Sequence, residues 1–172
     1  EGHMDRVKPS IRKTAKTITL LYLAFLVLGT FEYRIVGMSL LDSCIHAMCS
    51  LSTGGFSSRA SSIGAYNSLG VEIITSQLMI LGTFDFSLLL TLFSGRIRDF
   101  FHSTEIKTFF SLLLTLSGIM ALILIAKGYG FSSTLRVTLF NALSALSTTG
   151  FSTLDYRTLP EEAIFILIML MV

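Results

Sequence analysis

The sequence predicts an all-α integral membrane fold made of two span–pore-helix–filter-loop–span repeats, the second truncated. Three observations lead there. Charged residues make up 14% of the 172-residue chain, against about 25% in an ordinary soluble domain, and the mean hydropathy is +0.73. Leu, Ile, Phe and Met gather into runs of roughly spanning length, with the charges collected between them. One short motif also occurs twice: LSTGGFSS at 51–58 and LSTTGFST at 146–153, 95 positions apart.

The elements follow in order. Residues 1–14 read as a cytoplasmic basic segment. Arg6, Lys8, Arg12, Lys13 and Lys16 lie at the foot of the first apolar run, where a basic flank sets helix orientation. A net charge of +2 gives no footing for a nucleic-acid partner. Residues 2–4, GHM, read as a cloning scar, and the run is too long for a cleavable signal. That run covers 15–31 and extends toward Val36. A second covers Gly70 to Phe93, with Asn67 and Ser68 as cap candidates and Glu72 in the first turn. A third, Thr108 to Ala126, is 19 residues without a charge. A fourth starts at Pro160, Glu161 and Glu162 and stays apolar to Val172, too short to cross ~30 Å of hydrocarbon. The chain therefore reads as a fragment of a larger protein.

Between the spans lie Leu40–Ser50 and Leu135–Ala145, helix-like and about half a span long; Ser39 with Asp42 resembles a capping box. The units are thus 15–95, a linker at 96–107, and 108–172. Lys and Arg number eight in 1–16 and 96–107 together and five in the opposite segments. The bias puts the N-terminus and linker in the cytoplasm and both half-helices on the outer side.

A half-helix followed by a Ser/Thr/Gly loop is how a membrane protein presents backbone carbonyls to an ion. Aligned copies pair Thr53 with Thr148, Gly54 with Thr149 and Gly55 with Gly150. Gly in the last pair supplies the backbone freedom such a loop needs. A dehydrated monovalent cation would be held by the carbonyls, with the hydroxyls of Thr53, Thr148 and Thr149 buttressing the loop or adding an oxygen. Phe56 and Phe151 are expected to wedge each loop against its own half-helix. The half-helix C-termini, near Ser50 and Ala145, carry partial negative charge facing the cation.

These features resemble the TrkH/KtrB family of potassium-uptake proteins, within the superfamily of K⁺ transporters. STGGFS (52–57) is similar to that family's second filter and STTGFS (147–152) to its third. DRVKPSIRKTAK (5–16), the 37–58 block, LGTFDFSLLL (81–90) and RDFFHSTEIKTFF (98–110) carry the likeness along the chain. The resemblance implies a multi-pass cell-membrane protein with four such repeats in one polypeptide, K⁺ as the transported ion, and no cofactor. It also implies a homodimer and a cytosolic nucleotide-binding regulatory ring as partner. It assigns K⁺ coordination to Thr53, Gly54, Gly55, Thr148, Thr149 and Gly150.

Other residues read blandly. Asp85, expected mid-span, is taken as an acid that fixes helix packing rather than an ion relay. Met79, Met120, Met169 and Met171 read as packing or lipid-facing residues. Cys44 and Cys49 read as buried small apolar side chains, and His3, His46 and His102 form no ligand cluster. Arg96, Arg98 and Lys107 read as a solvated juxtamembrane loop. No nucleophile–base pair, phosphate loop or zinc motif points to an enzyme. Two other readings use the same residues: a membrane carrier or scaffold in which the repeats only pack, and a Na⁺-permeable relative.

Overall fold

A computed structural model describes residues 4–85, 88–89 and 97–171. Among the described residues are seven α-helices, a helical pair at 88–89 and two short 3₁₀ helices, with no strand. Helix α1 (Met4–Ile35) runs unbroken from the basic segment through the first apolar run. Its stretch Thr14–Ile35 is long and apolar enough to cross a bilayer, as is helix α5 (Thr104–Ala126). The basic residues from Arg6 to Lys16 are thus in the same helix as the first apolar run.

Both long helices end in the same device. After Ile35, the N–H of Gly37 bonds to the Arg34 carbonyl and that of Met38 to the Tyr33 carbonyl. After Ala126, Gly128 bonds to Ile125 and Tyr129 to Leu124 in the same pattern. Both glycines have φ near +90°, the left-handed stop that closes a helix and satisfies its last carbonyls. Two residues later a half-helix starts: α2 (Leu40–Leu51) behind its N-cap Ser39, and α6 (Phe131–Leu146) behind Gly130. Ser39 Oγ accepts the Asp42 N–H at 3.1 Å, as the capping pattern predicted. Helix α6 has 16 residues against 12 in α2. The added turn, Phe131–Thr134, lies ahead of the predicted start at Leu135, because Gly130 and not a side-chain cap marks the beginning.

The second span departs from expectation. Helix α3 (Leu69–Thr83) stops short of Phe93, and Phe84 is extended, at φ −77° and ψ 145°. The Phe84 ring is buried edge-on against Phe100 and Phe109, with centroids 6.2 and 5.2 Å away. Leaving the helix delivers it there. Asp85 is thus not within a continuous helix: it is exposed, and its carbonyl accepts the N–H groups of Leu88 and Leu89, as an N-cap residue's does. An apolar count cannot register such a break. The stretch 90–96, with Arg96, lies outside the described residues, as do Gly2, His3 and Val172.

A short helix α4 (Ile97–His102) precedes α5, which begins at Thr104, so most of the predicted linker is helical. Helix α7 (Glu161–Met171) follows Pro160, whose carbonyl accepts from Ala163 and Ile164. In the first half α1 packs on α2 and α2 on α3; in the second, α5, α6 and α7 pack together; α3 meets α6 across the halves. Met79 and Met120 are fully buried, whereas Met169 and Met171 face outward. Cys44 and Cys49 are free and half-buried, less enclosed than expected. Leu20, Val27, Phe31, Leu122 and Phe165 point outward, an apolar exterior that suits lipid.

One ion pair ties the halves. Arg136 of α6 donates Nε to one Glu72 carboxylate oxygen at 2.7 Å and a terminal nitrogen to the other at 2.8 Å. The Glu72 side chain is 8% exposed, so the guanidinium is what makes its charge tolerable there. Arg136→Ala is expected to destabilise the protein by about 1–2 kcal/mol, discounted for the half-open Arg136 side. Glu72→Gln on that background should recover part of the loss in thermal unfolding in detergent; no recovery would mean the carboxylate is not the strained partner.

Candidate ion-coordinating loops

Each copy of the motif begins where its half-helix ends, and both helices end with the same hydrogen-bond pattern. The N–H of Ser52 bonds to Met48 and that of Thr53 to Ser50, while Gly54 and Gly55 both donate to the Cys49 carbonyl, at 2.8 and 3.3 Å. In the second copy Ser147 bonds to Leu143 and Thr148 to Ala145, while Thr149 and Gly150 both donate to the Ser144 carbonyl, at 3.0 and 3.3 Å. Every donor and acceptor is displaced by the same 95 positions as the motifs.

That pattern fixes the carbonyls. In a trans peptide the C=O of one residue points opposite to the N–H of the next. With the N–H groups of Gly54 and Gly55 turned back onto α2, the carbonyls of Thr53 and Gly54 point away from its end. By the same reasoning the carbonyls of Thr148 and Thr149 point away from α6.

Holding two N–H groups on one acceptor twists the chain. Thr53 has φ +50° and Thr148 φ +56°, both left-handed. A β-branched residue is a rare occupant of that region and costs about 1–2 kcal/mol there. The strain recurs at the same point of both loops, which marks it as a requirement of the turn. Gly55 and Gly150, at φ +66° and +88°, continue it.

The two loops meet. The Thr149 carbonyl oxygen occupies the space a Cβ on Gly55 would need, with the Gly150 carbonyl carbon 3.5 Å from that position. Gly55 is thus required twice, by its φ and by the neighbouring loop's backbone. Around Gly150 there is open space for a Cβ, so its requirement is conformational alone. Thr149 is buried, and its hydroxyl pairs with Ser147 Oγ at 2.8 Å. It therefore buttresses the loop.

The expected phenylalanine wedges need correction. Phe151 is fully buried, but it stacks on His46 of the other repeat's half-helix, with centroids 5.9 Å apart and planes at 23°. Phe56 is 76% exposed and wedges against nothing among the described residues. Phe151 follows Gly150 on an extended segment leaving its half-helix, which carries the ring to the adjacent repeat and away from its own helix.

Further residues hold the loops in place. Tyr33, fully buried on α1, bonds to Ser50 at 3.1 Å on α2 and Thr75 at 2.7 Å on α3. The first repeat's outer loop lies along the second repeat's strand: Gly64 N–H donates to the Ser152 carbonyl at 3.0 Å, and Ser152 N–H to Ser62 Oγ at 3.2 Å. An open cavity of ≈ 800 Å³ lies against both loops, lined among others by Gly55, Arg59, Gly150 and Asp155. Arg59 is paired with Asp42 at 3.0 Å. The Ser58 hydroxyl and the Arg59 guanidinium hold the Asp42 carboxyl well below the usual carboxylate range. The pair sets an opposite charge beside the Arg59 guanidinium at the edge of that cavity.

The six residues singled out in the sequence lie in two loops that touch, and sequence reasoning missed Tyr33, His46 and the Ser62–Tyr66 strap beside them. A lone His inside an apolar half-helix was the available signal for His46. No pattern pointed to Tyr33. Among the described residues no cluster of three metal-ligating side chains occurs.

Comparison with known proteins gives a family, several relatives and a fold. The sequence profile of TrkH, described as a cation transport protein, matches residues 4–143. The Trk system potassium uptake protein TrkH of Halomonas elongata is 29% identical over 168 residues, covering 95% of this chain and 34% of that protein. TrkI of the same organism is 32% identical over 154 residues, covering 88% of this chain and 31% of that protein. The crystal structure of the potassium transporter TrkH from Vibrio parahaemolyticus superposes with a TM-score of 0.86 at 23% identity, covering 94% of this chain and 36% of that one. The chain spans about a third of the length of these relatives.

The unequal surroundings of the two glycines give a test. Gly150→Ala should cost about 1–2 kcal/mol, the strain of a side chain at positive φ. Gly55→Ala should cost clearly more, since a backbone oxygen must also move. Equal losses in thermal unfolding would contradict the contact between the loops.

Proposed function

The chain belongs to the TrkH family of cation transport proteins, and on that premise we propose that it forms part of a K⁺-conducting pathway through the cell membrane. In this reading 15–95 and 108–172 are two pore-loop repeats, and the remaining repeats belong to the same native polypeptide. The backbone oxygens of Thr53, Gly54, Thr148 and Thr149 replace water around a dehydrated K⁺, and Gly55 and Gly150 give the loops their shape. The half-helix C-termini behind them contribute partial negative charge. The observation that carries the reading is the paired hydrogen bonding of Gly54 and Gly55 onto Cys49, and of Thr149 and Gly150 onto Ser144. It turns four carbonyls away from the helix ends at two loops in contact.

The family resemblance supplies the rest of the proposal: a multi-pass protein with the N-terminus and the 96–107 linker in the cytoplasm, assembled as a homodimer with a cytosolic nucleotide-binding ring. Ion flux in the native protein tests the core of it. Gly55→Ser and Gly150→Ser should each lower the preference for K⁺ over Na⁺ by about tenfold or more, a difference of ~1.4 kcal/mol between the two ions. Unchanged preference in both variants would reject carbonyl coordination by these loops.

A further inference from the structure

We infer that His46 is a positioning residue that sets the spacing between the two loops, an inference that rests on the ion-coordination reading above. His46 sits in the middle of α2 and is fully buried. Its Nδ1 is 2.8 Å from the Asp42 carbonyl oxygen. A carbonyl only accepts, so Nδ1 carries the proton and Nε2 of the neutral ring is an acceptor. Nε2 takes the Ser57 hydroxyl proton at 2.9 Å, leaving Ser57 Oγ to accept the Arg59 N–H at 3.1 Å. Ser57 lies two residues beyond Gly55. One edge of the imidazole therefore holds the outer end of the first loop against its own helix.

The face of the same ring holds the second loop. Phe151, directly after Gly150, stacks on it. Tyr66 closes one side, edge-on at 5.5 Å, and Tyr33 another at 6.3 Å. No other buried side chain in the described structure bonds to one loop while stacking on the other. Beside the direct backbone contact at Gly55, one ring with both nitrogens satisfied thus joins the two loops through its edge and its face.

The repeat supplies a control. The position 95 residues on is Asn141. Its Nδ2 donates to the Val137 carbonyl at 2.8 Å and to Thr153 Oγ1 at 2.9 Å. Those ties are analogous, from mid-helix to the carbonyl one turn back and to a hydroxyl on the outgoing loop, although the second runs in the opposite donor sense and reaches one position further along. Asn141 performs the intra-repeat clamp without a ring, and its buried Oδ1 has no partner among the described residues. Holding a strand to its own helix needs only an amide. The imidazole at 46 adds the bridge to the neighbouring loop.

His46→Asn therefore removes the bridge while keeping a side chain that this fold already uses for the clamp. Phe151→Leu removes the bridge from the other side. In the native protein in proteoliposomes, each should lower K⁺ discrimination over Na⁺ by about threefold to tenfold, the range of one aromatic pair. The change should appear mainly in the KM for K⁺, with the maximal rate nearly kept. The double variant should lose little more than either single one, because both cut the same contact. Ser57→Ala, which cuts only the hydroxyl tie, should give a smaller shift of the same kind and serves if either ring variant fails to fold. Losses that multiply in the double variant, or a KM and Na⁺ discrimination within twofold of wild type in His46→Asn and Phe151→Leu, would overturn the proposal. Should Gly55→Ser also leave the ion preference unchanged, the coordination reading itself fails; a normal Gly55→Ser effect beside silent ring variants sinks only the role of His46.

Discussion

The structure turns on one carbonyl in the last turn of each half-helix. Cys49 and Ser144 each collect two consecutive loop N–H groups. A helix end leaves its final carbonyls without partners, and one left-handed glycine is a common way to satisfy them. Here the chain doubles back on itself for two residues more. The peptide planes then have no choice about where their oxygens go. Thr53 and Thr148 accept left-handed backbone for the same reason, and a strained threonine in both copies is the mark of that geometry.

Everything else keeps those turns in register. Tyr33 joins α1, α2 and α3 through two hydroxyls. The Glu72–Arg136 pair locks the N-terminal end of α3 to α6. The Ser62–Tyr66 strap bonds its backbone to the strand beyond Gly150. Both spans feed their half-helix through the same glycine stop, at Gly37 and Gly128. The halves differ where their environments differ: Asp42 and Arg59 pair in the first, while Val137 and Leu154 stand at the corresponding places of the second.

Much of this was legible beforehand. Apolar run length gave the first and third spans, since a bilayer demands about 20 residues whatever their order. The doubled motif gave the half-helix, the loop and the family, because both copies obey one backbone constraint. The break after Thr83 was hidden, for Phe84 and Asp85 lie in a run as apolar as any helix, and only the Phe100 and Phe109 rings explain why the chain leaves helical geometry. The added turn of α6 was hidden because Gly130 carries no capping side chain. The Phe151–His46 stack joins residues more than a hundred positions apart, and a local pattern holds no trace of such a pairing.

The most direct measurement replaces K⁺ with Rb⁺ in crystals of the native protein and locates the ion by its anomalous scattering. The account predicts a peak in coordinating contact with the backbone oxygens of Thr53, Gly54, Thr148 and Thr149. A peak held by side-chain carboxylates elsewhere in the membrane region, with the loops empty at saturating Rb⁺, would contradict it.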